Sequence, residues 1–113
     1  MLVLCNESQF ESEDGARQAV GTPTENALLE LADDARLDIA ALRKRYPLLK
    51  IRYRSEQRHF MVTHHRSGKR RLVAVKGSPV ELLSLCRWIM VNGRRRRLSD
   101  EQRAELLGEN ERW

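Results

Sequence analysis

The stretch Leu72-Val73-Ala74-Val75-Lys76-Gly77-Ser78-Pro79-Val80-Glu81-Leu82-Leu83 constrains the fold more than any other. An apolar run ends in a lysine, meets a glycine corner, and enters a helix at once. Gly77 lets the backbone turn sharply or approach a ligand closely, because it lacks a Cβ. Ser78 is a good N-cap, Pro79 suits the first helical position, and Glu81 falls at N3, so a capping box is expected. A lysine leaving a strand beside a helix N-terminus is suited to an anion. The same start signal occurs at Thr22-Pro23-Thr24-Glu25, with Thr22 as cap and Glu25 at N3.

Around these two corners the periodicities alternate. Leu28, Leu31, Ala32 and Ala35 follow helical spacing, so they are expected as one buried stripe. A shorter helix from about Asp38 to Arg45 must end by Tyr46, before Pro47. Leu49, Ile51 and Tyr53 alternate with Lys50, Arg52 and Arg54, a strand period that puts Tyr53 on the apolar side. A strand from about His59 to His65 and the turn Arg66-Ser67-Gly68-Lys69 lead into Leu72 to Lys76. Beyond the helix from Pro79 to about Cys86, Trp88 to Val91 and Arg94 to Leu98 flank Asn92-Gly93, a strong hairpin signal. Ser99 caps a last helix with Gln102 at N3, which should bury Leu106 and Leu107 and stop near Gly108. At the other end, Leu2 to Cys5 closes an element, Asn6 to Gly15 reads as an acidic loop, and Arg17 to Val20 as a short strand. Helices interleaved with strands joined by tight turns give an α+β class with an antiparallel sheet flanked by helices.

A length of 113 residues suits a single domain over residues 1–113. No run approaches the ~20 apolar residues of a membrane span, and the first residues lack a signal-peptide pattern, so a cytosolic setting is expected. With 21 basic and 16 acidic side chains the net charge is +5, which favours anionic partners without choosing among them. Cys5 and Cys86 are expected as two free, buried thiols.

Several candidate sites have ordinary explanations. Arg94-Arg95-Arg96-Arg97 could meet phosphate backbones, and a nucleic-acid-binding module is the alternative function; alternate arginines on a strand face opposite ways, however, and basic edges block stray pairing. His64 and His65 are strand neighbours that face apart, a poor start for a metal site. Neither the P-loop nor the Gly-x-Gly-x-x-Gly fingerprint occurs, nor a Gly-x-Ser-x-Gly elbow. Singly, Glu25 and Glu81 are complete as capping-box carboxylates, and Tyr53 as a core aromatic.

Together, ordered stretches resemble the nucleotide-binding domain of P-type cation-transporting ATPases. Leu4-Cys5-Asn6 resembles that family's LCN. Gly21-Thr22-Pro23-Thr24-Glu25-Asn26-Ala27-Leu28-Leu29 resembles G-D-P-T-E-x-A-L-L, and Tyr53 to Val62 resembles F-x-S-x-R-K-x-M-S-V. Lys76-Gly77-Ser78-Pro79 resembles K-G-A-P, followed by a helix ending in cysteine, here Cys86. Leu98-Ser99-Asp100-Glu101-Gln102-Arg103 resembles L-T-x-E-x-R. The likeness covers nearly the whole chain.

The resemblance implies an ATP site. Tyr53 takes the place of the aromatic that stacks on adenine, and Glu25 that of the acid accepting from the adenine amino group. Lys76 lines the pocket, Gly77 leaves room beside it, Arg58 follows as a basic residue for the phosphates, and Ser55 lies in the same stretch. Thr22 stands where the family has an acid, Gln57 where it has an arginine, Phe60 where it has a methionine, and Val80-Glu81 reverses the usual order. Of these departures, Thr22 and Gln57 raise a third reading, a structural or interaction domain that has lost nucleotide binding. The D-K-T-G-T, T-G-E-S and G-D-G-x-N-D motifs do not occur. The resemblance therefore implies a non-catalytic, monomeric piece of a larger membrane ATPase. Its partners would be ATP, with Mg2+ in the parent, and the parent's phosphorylation and actuator domains. No nucleic acid is expected, and the membrane is reached only through the parent. The absence of a His-Pro pair points away from the heavy-metal branch, toward those transporting calcium, sodium/potassium, protons or magnesium.

Overall fold

Thr22 opens the first helix as its spacing requires: its hydroxyl accepts from the Glu25 amide at 3.4 Å, with Pro23 in the first turn. In the computed structural model, which describes residues 1–112, this helix, α1 (Pro23–Asp34), belongs to the first of two compact units. That unit comprises residues 1–53 and 61–76; the second comprises 54–60 and the chain from Gly77 onward.

In the first unit, β1 (Gln9–Glu13) and β2 (Ala16–Val20) form an antiparallel hairpin in register Gln9↔Val20 to Glu13↔Ala16. Asp14 and Gly15 turn it with φ of 50° and 81°. The expected acidic loop is thus half strand. Its single apolar side chain, Phe10, gives no alternation to read, yet it packs on the core and lies 3.8 Å beneath the Arg17 guanidinium. The core gathers Val3, Leu29, Ala32 and Ile39. The buried stripe of α1 therefore runs through Leu29 and Ala32, while Leu31 is 54% exposed and Ala35 also faces solvent. The expected stripe is rotated by about one residue. α2 (Ile39–Arg45) is capped by Asp38, whose Oδ1 accepts from the Ala41 amide at 2.8 Å, and it ends at Tyr46 as Pro47 demands.

A three-stranded sheet follows in the order β3 (Leu48–Arg52), β4 (Phe60–Ser67), β5 (Arg70–Gly77). β3 and β4 are antiparallel, with a register shift between Leu48 and Lys50. Met61, Thr63 and His65 alternate inward along β4, and Met61 joins Cys5 and Ala74 in a second apolar cluster against which Ile51 packs. Of the apolar set expected on β3, only Ile51 is partly covered. Leu49 is exposed, and Tyr53 lies past the strand end, 57% exposed, so it is not a core aromatic.

In the second unit, residues 55–58 form a turn closed by reciprocal backbone bonds between Ser55 and Arg58 at 2.9 and 3.1 Å. α3 (Pro79–Leu85) starts behind Ser78, but Ser78 makes no side-chain cap bond. Glu81 reaches instead to His59, accepting from its backbone N–H at 3.1 Å and pairing with ring Nδ1. The expected capping box at this corner is therefore absent: the carboxylate has a charge-assisted partner across the turn. β6 (Trp88–Val91) and β7 (Arg94–Arg97) pair antiparallel from Trp88↔Arg97 to Val91↔Arg94. Asn92 and Gly93 take φ of 49° and 73°, the two positive values that a two-residue hairpin turn needs. α4 (Asp100–Glu111) begins with the expected box between Ser99 and Gln102 but continues past Gly108. Leu106 is 37% exposed, and the polar residues 109–111 suit a solvated last turn. Among the described residues of this unit, Leu98 is the buried apolar one. Cys5 is buried and Cys86 exposed, so only one thiol matches the expectation of two buried ones.

Candidate functional site

Three of the residues singled out from sequence converge in the first unit. Glu25 stands in the first turn of α1 and Lys76 near the end of β5, and their side chains form an ion pair. The pair is largely covered, the Glu25 side chain being 12% exposed and that of Lys76 27%. Oε2 of Glu25 also accepts from the Glu7 amide at 3.3 Å. The Tyr53 hydroxyl donates to Oε1 of Glu7 at 2.8 Å. Lys76, Glu25, Glu7 and Tyr53 thus form one connected polar chain. Glu25 is spent here rather than in a capping box, for no return bond to the Thr22 amide is made among the described residues.

The segment carrying Glu7 is held from three directions. The Asn6 amide group donates to the carbonyls of Leu2 at 3.0 Å and Glu25 at 2.8 Å, and its Oδ1 accepts from the Ser8 amide at 2.9 Å. Arg43 of α2 donates to the carbonyls of Asn6 at 3.1 Å and Ser8 at 2.7 Å. Burial lowers the pKa of that guanidinium, partly countered by the charge of Glu25. A cavity of ≈ 240 Å³ opens beside this segment, with Glu7, Arg43, Ile51 and His65 in its lining.

Glu7 and Arg43 were not singled out from sequence. Glu7 sits in what reads as an acidic loop, and Arg43 is one of three bases closing α2. Asn6 was visible only as the last letter of a short motif. The Tyr53 hydroxyl is held protonated to a higher pH than usual, first by its bond to Glu7 and then by desolvation and the charges of Glu7 and Glu25.

Ser55, Arg58 and Gly77 belong to the second unit. Ser55 and Arg58 frame the turn described above, and both line an open recess of ≈ 480 Å³ with Phe60 and Glu81. Gly77 has φ of 155°, and a Cβ there would collide with the His59 carbonyl and the Phe60 backbone. The close approach that its missing Cβ permits is to the backbone of that protein segment.

The histidines have partners of their own. His65 is buried between the Tyr46 carbonyl at 3.0 Å and the Thr63 hydroxyl at 2.9 Å. Among the described residues no three His, Cys, Asp or Glu side chains come together as a metal-holding group. Arg94 to Arg97 are exposed, with Arg95 lying 4.7 Å over the Trp88 ring.

The family model for the P-type ATPase cytoplasmic domain N matches residues 1–113. A calcium-transporting ATPase 1 of Lactococcus lactis is 29% identical over 110 residues, covering 97% of this chain and 12% of the relative. A potassium-transporting ATPase alpha chain 2 of Rattus norvegicus is 30% identical over 102 residues, covering 82% and 10%. A cation-transporting ATPase of Synechocystis is 35% identical over 91 residues, covering 80% and 10%. The chain spans about a tenth of the length of these relatives.

Proposed function

The chain belongs to the P-type ATPase cytoplasmic domain N family, and from that membership we propose that it binds the adenine end of ATP on its first unit. The observation that carries the reading is the convergence of Tyr53, Glu25 and Lys76 through the Glu7 segment. Tyr53 is 57% exposed while its hydroxyl is tied to Glu7, so the side chain is oriented before a ligand arrives. Base–aromatic stacking of this kind contributes about 1–3 kcal/mol in nucleic-acid complexes. A carboxylate has about four lone-pair directions, and Glu25 commits one to Lys76 and one to the Glu7 amide. It retains capacity to accept from an exocyclic amine. Lys76 donates to Glu25 with one of its three N–H groups and keeps the others for a ring nitrogen or a phosphate oxygen.

The task proposed for these residues is positioning, and no catalytic residue is assigned to the chain. In a full-length cation-transporting ATPase, the ATP, with its Mg2+, would supply a phosphoryl group to an aspartate of the phosphorylation domain. The residues here would hold the base, so that the transfer starts from a bound and oriented donor. That parent, its actuator domain and its membrane part are proposed partners, and the chain would be a cytoplasmic domain of it. The relatives named above are cation-transporting ATPases, which supports this placement.

The reading is tested by titrating the chain with ATP and following amide and side-chain resonances. Saturable shifts are expected at Glu25, Tyr53 and Lys76. Tyr53→Ala should weaken binding by about 1–3 kcal/mol, roughly five- to 150-fold, with the spectrum of the α1 core unchanged. Lys76→Ala should also weaken it. Binding that survives both substitutions, or shifts confined to Arg94–Arg97, would overturn it.

A further inference from the structure

We propose that the second unit carries an anion site for a phosphate group, formed by Arg87, Arg97 and Arg103. These residues line a recess of ≈ 700 Å³ bounded by the end of α3, the two ends of the β6–β7 hairpin and the start of α4. It shares no residue with the Glu25, Tyr53 and Lys76 cluster.

Local structure brings three guanidinium-bearing residues to one place. The hairpin register sets its first and last residues side by side, Trp88 against Arg97. Just outside that rung the Leu98 amide donates to the Arg87 carbonyl at 3.0 Å, so Arg87 and Arg97 flank the same ladder end. Buried Leu98 is part of the same lining. Arg103 lies one turn into α4, and its Nη2 donates to the Cys86 carbonyl at 3.0 Å. That bond anchors one edge of the guanidinium. Its Nη1 is buried and has no hydrogen-bond partner among the described residues.

A buried, unpaired donor on a charged group is costly, and such groups are normally matched by an acceptor. None of the ion pairs among the described residues involves Arg87, Arg97 or Arg103. One acid, Asp100, lines the recess, so three positive charges face one negative. Asp100 and Glu101 occupy the first turn of α4, so the attraction comes from the guanidinium groups and not from the helix end. Planar forks lining one recess from three elements suit the tetrahedral oxygens of a phosphate, free or esterified to a small organic group.

The experiment is an amide-resolved titration of the full chain with inorganic phosphate and, separately, with glycerol 3-phosphate. Ionic strength is held constant with chloride. Saturable shifts are expected at Arg87, Leu98, Ser99 and Arg103, with tighter binding of one ligand identifying free phosphate or a phosphate ester. Arg97→Gln and Arg103→Gln should each weaken binding at least tenfold. Arg97 is an exposed strand residue, so its variant carries the test if Arg103→Gln unfolds α4. The proposal is overturned by shifts that stay linear and match those from chloride. It is equally overturned by saturation confined to Glu25, Tyr53 and Lys76, or by a folded Arg97→Gln chain that binds as before.

Discussion

Glu81 and His59 show how much a single carboxylate can be redirected. Sequence spacing assigns Glu81 to its own helix cap, yet it bonds the ring and backbone of His59. The ring hydrogen bond is the main reason its pKa lies below the usual carboxylate range. A depressed folded-state pKa stabilises the fold at pH above the unfolded value, and the contribution is lost as pH falls through the folded value. Urea unfolding at a series of pH values should therefore show stability falling below about pH 4, with a shallower acid limb in His59→Ala. An unchanged limb would mean that the pair contributes nothing. Glu25 was redirected in the same way, toward Lys76. Spacing identifies a residue able to cap; it does not reveal a competing cation fifty-one positions away. For the same reason Tyr53 and Glu25 could be tied to a site only through family likeness, Lys76 only as a lysine at an anion-receiving corner, and Glu7 and Arg43, which hold the cluster together, not at all. Gly77 was legible as a corner because its sequence context is local, though its close neighbour proved to be the segment at His59 and Phe60.

At the scale of elements, local chemistry read well wherever one short-range rule dominated. Asn92-Gly93 specifies both the turn and the register of β6 and β7, because few other residue pairs tolerate two positive φ values. Ser99 with Gln102, and Thr22 with Pro23, likewise fix where α4 and α1 begin. Thr22→Ala should lower stability by about 1 kcal/mol in urea unfolding, whereas Thr22→Asp should preserve it, since either side-chain oxygen can accept from the Glu25 amide. Equal loss in both variants would show that the cap is not the reason for Thr22. What failed were the elements whose identity depends on partners. β1 has one apolar residue in five and forms because β2 completes its ladder. The bulge in β3 changes which side chains face inward, so its alternation misplaced Leu49, and the strand ends before Tyr53. The stripe of α1 was rotated because Val3 and Ile39, not spacing alone, decide which face is covered.

Across the whole molecule, burial is unevenly shared. The first unit holds two apolar clusters, around Leu29 and around Met61, whereas among the described residues of the second Leu98 is the buried apolar one. Local stability follows buried contacts, so the two units need not open together. The cysteines turn this asymmetry into a measurable clock. Cys86 is exposed in the second unit, while Cys5 is sealed in the first, its Sγ 3.9 Å from the Met61 carbonyl. A thiol-reactive dye should therefore label the native chain with one rapid equivalent. The second equivalent should appear only as the first unit opens, and denaturant should raise its rate in step with that opening. Two equally fast equivalents would mean that Cys5 is reached without opening. With Cys86 blocked in advance, the remaining thiol becomes an internal timer for the unit that holds Glu25 and Lys76. Nucleotide that binds there should slow it.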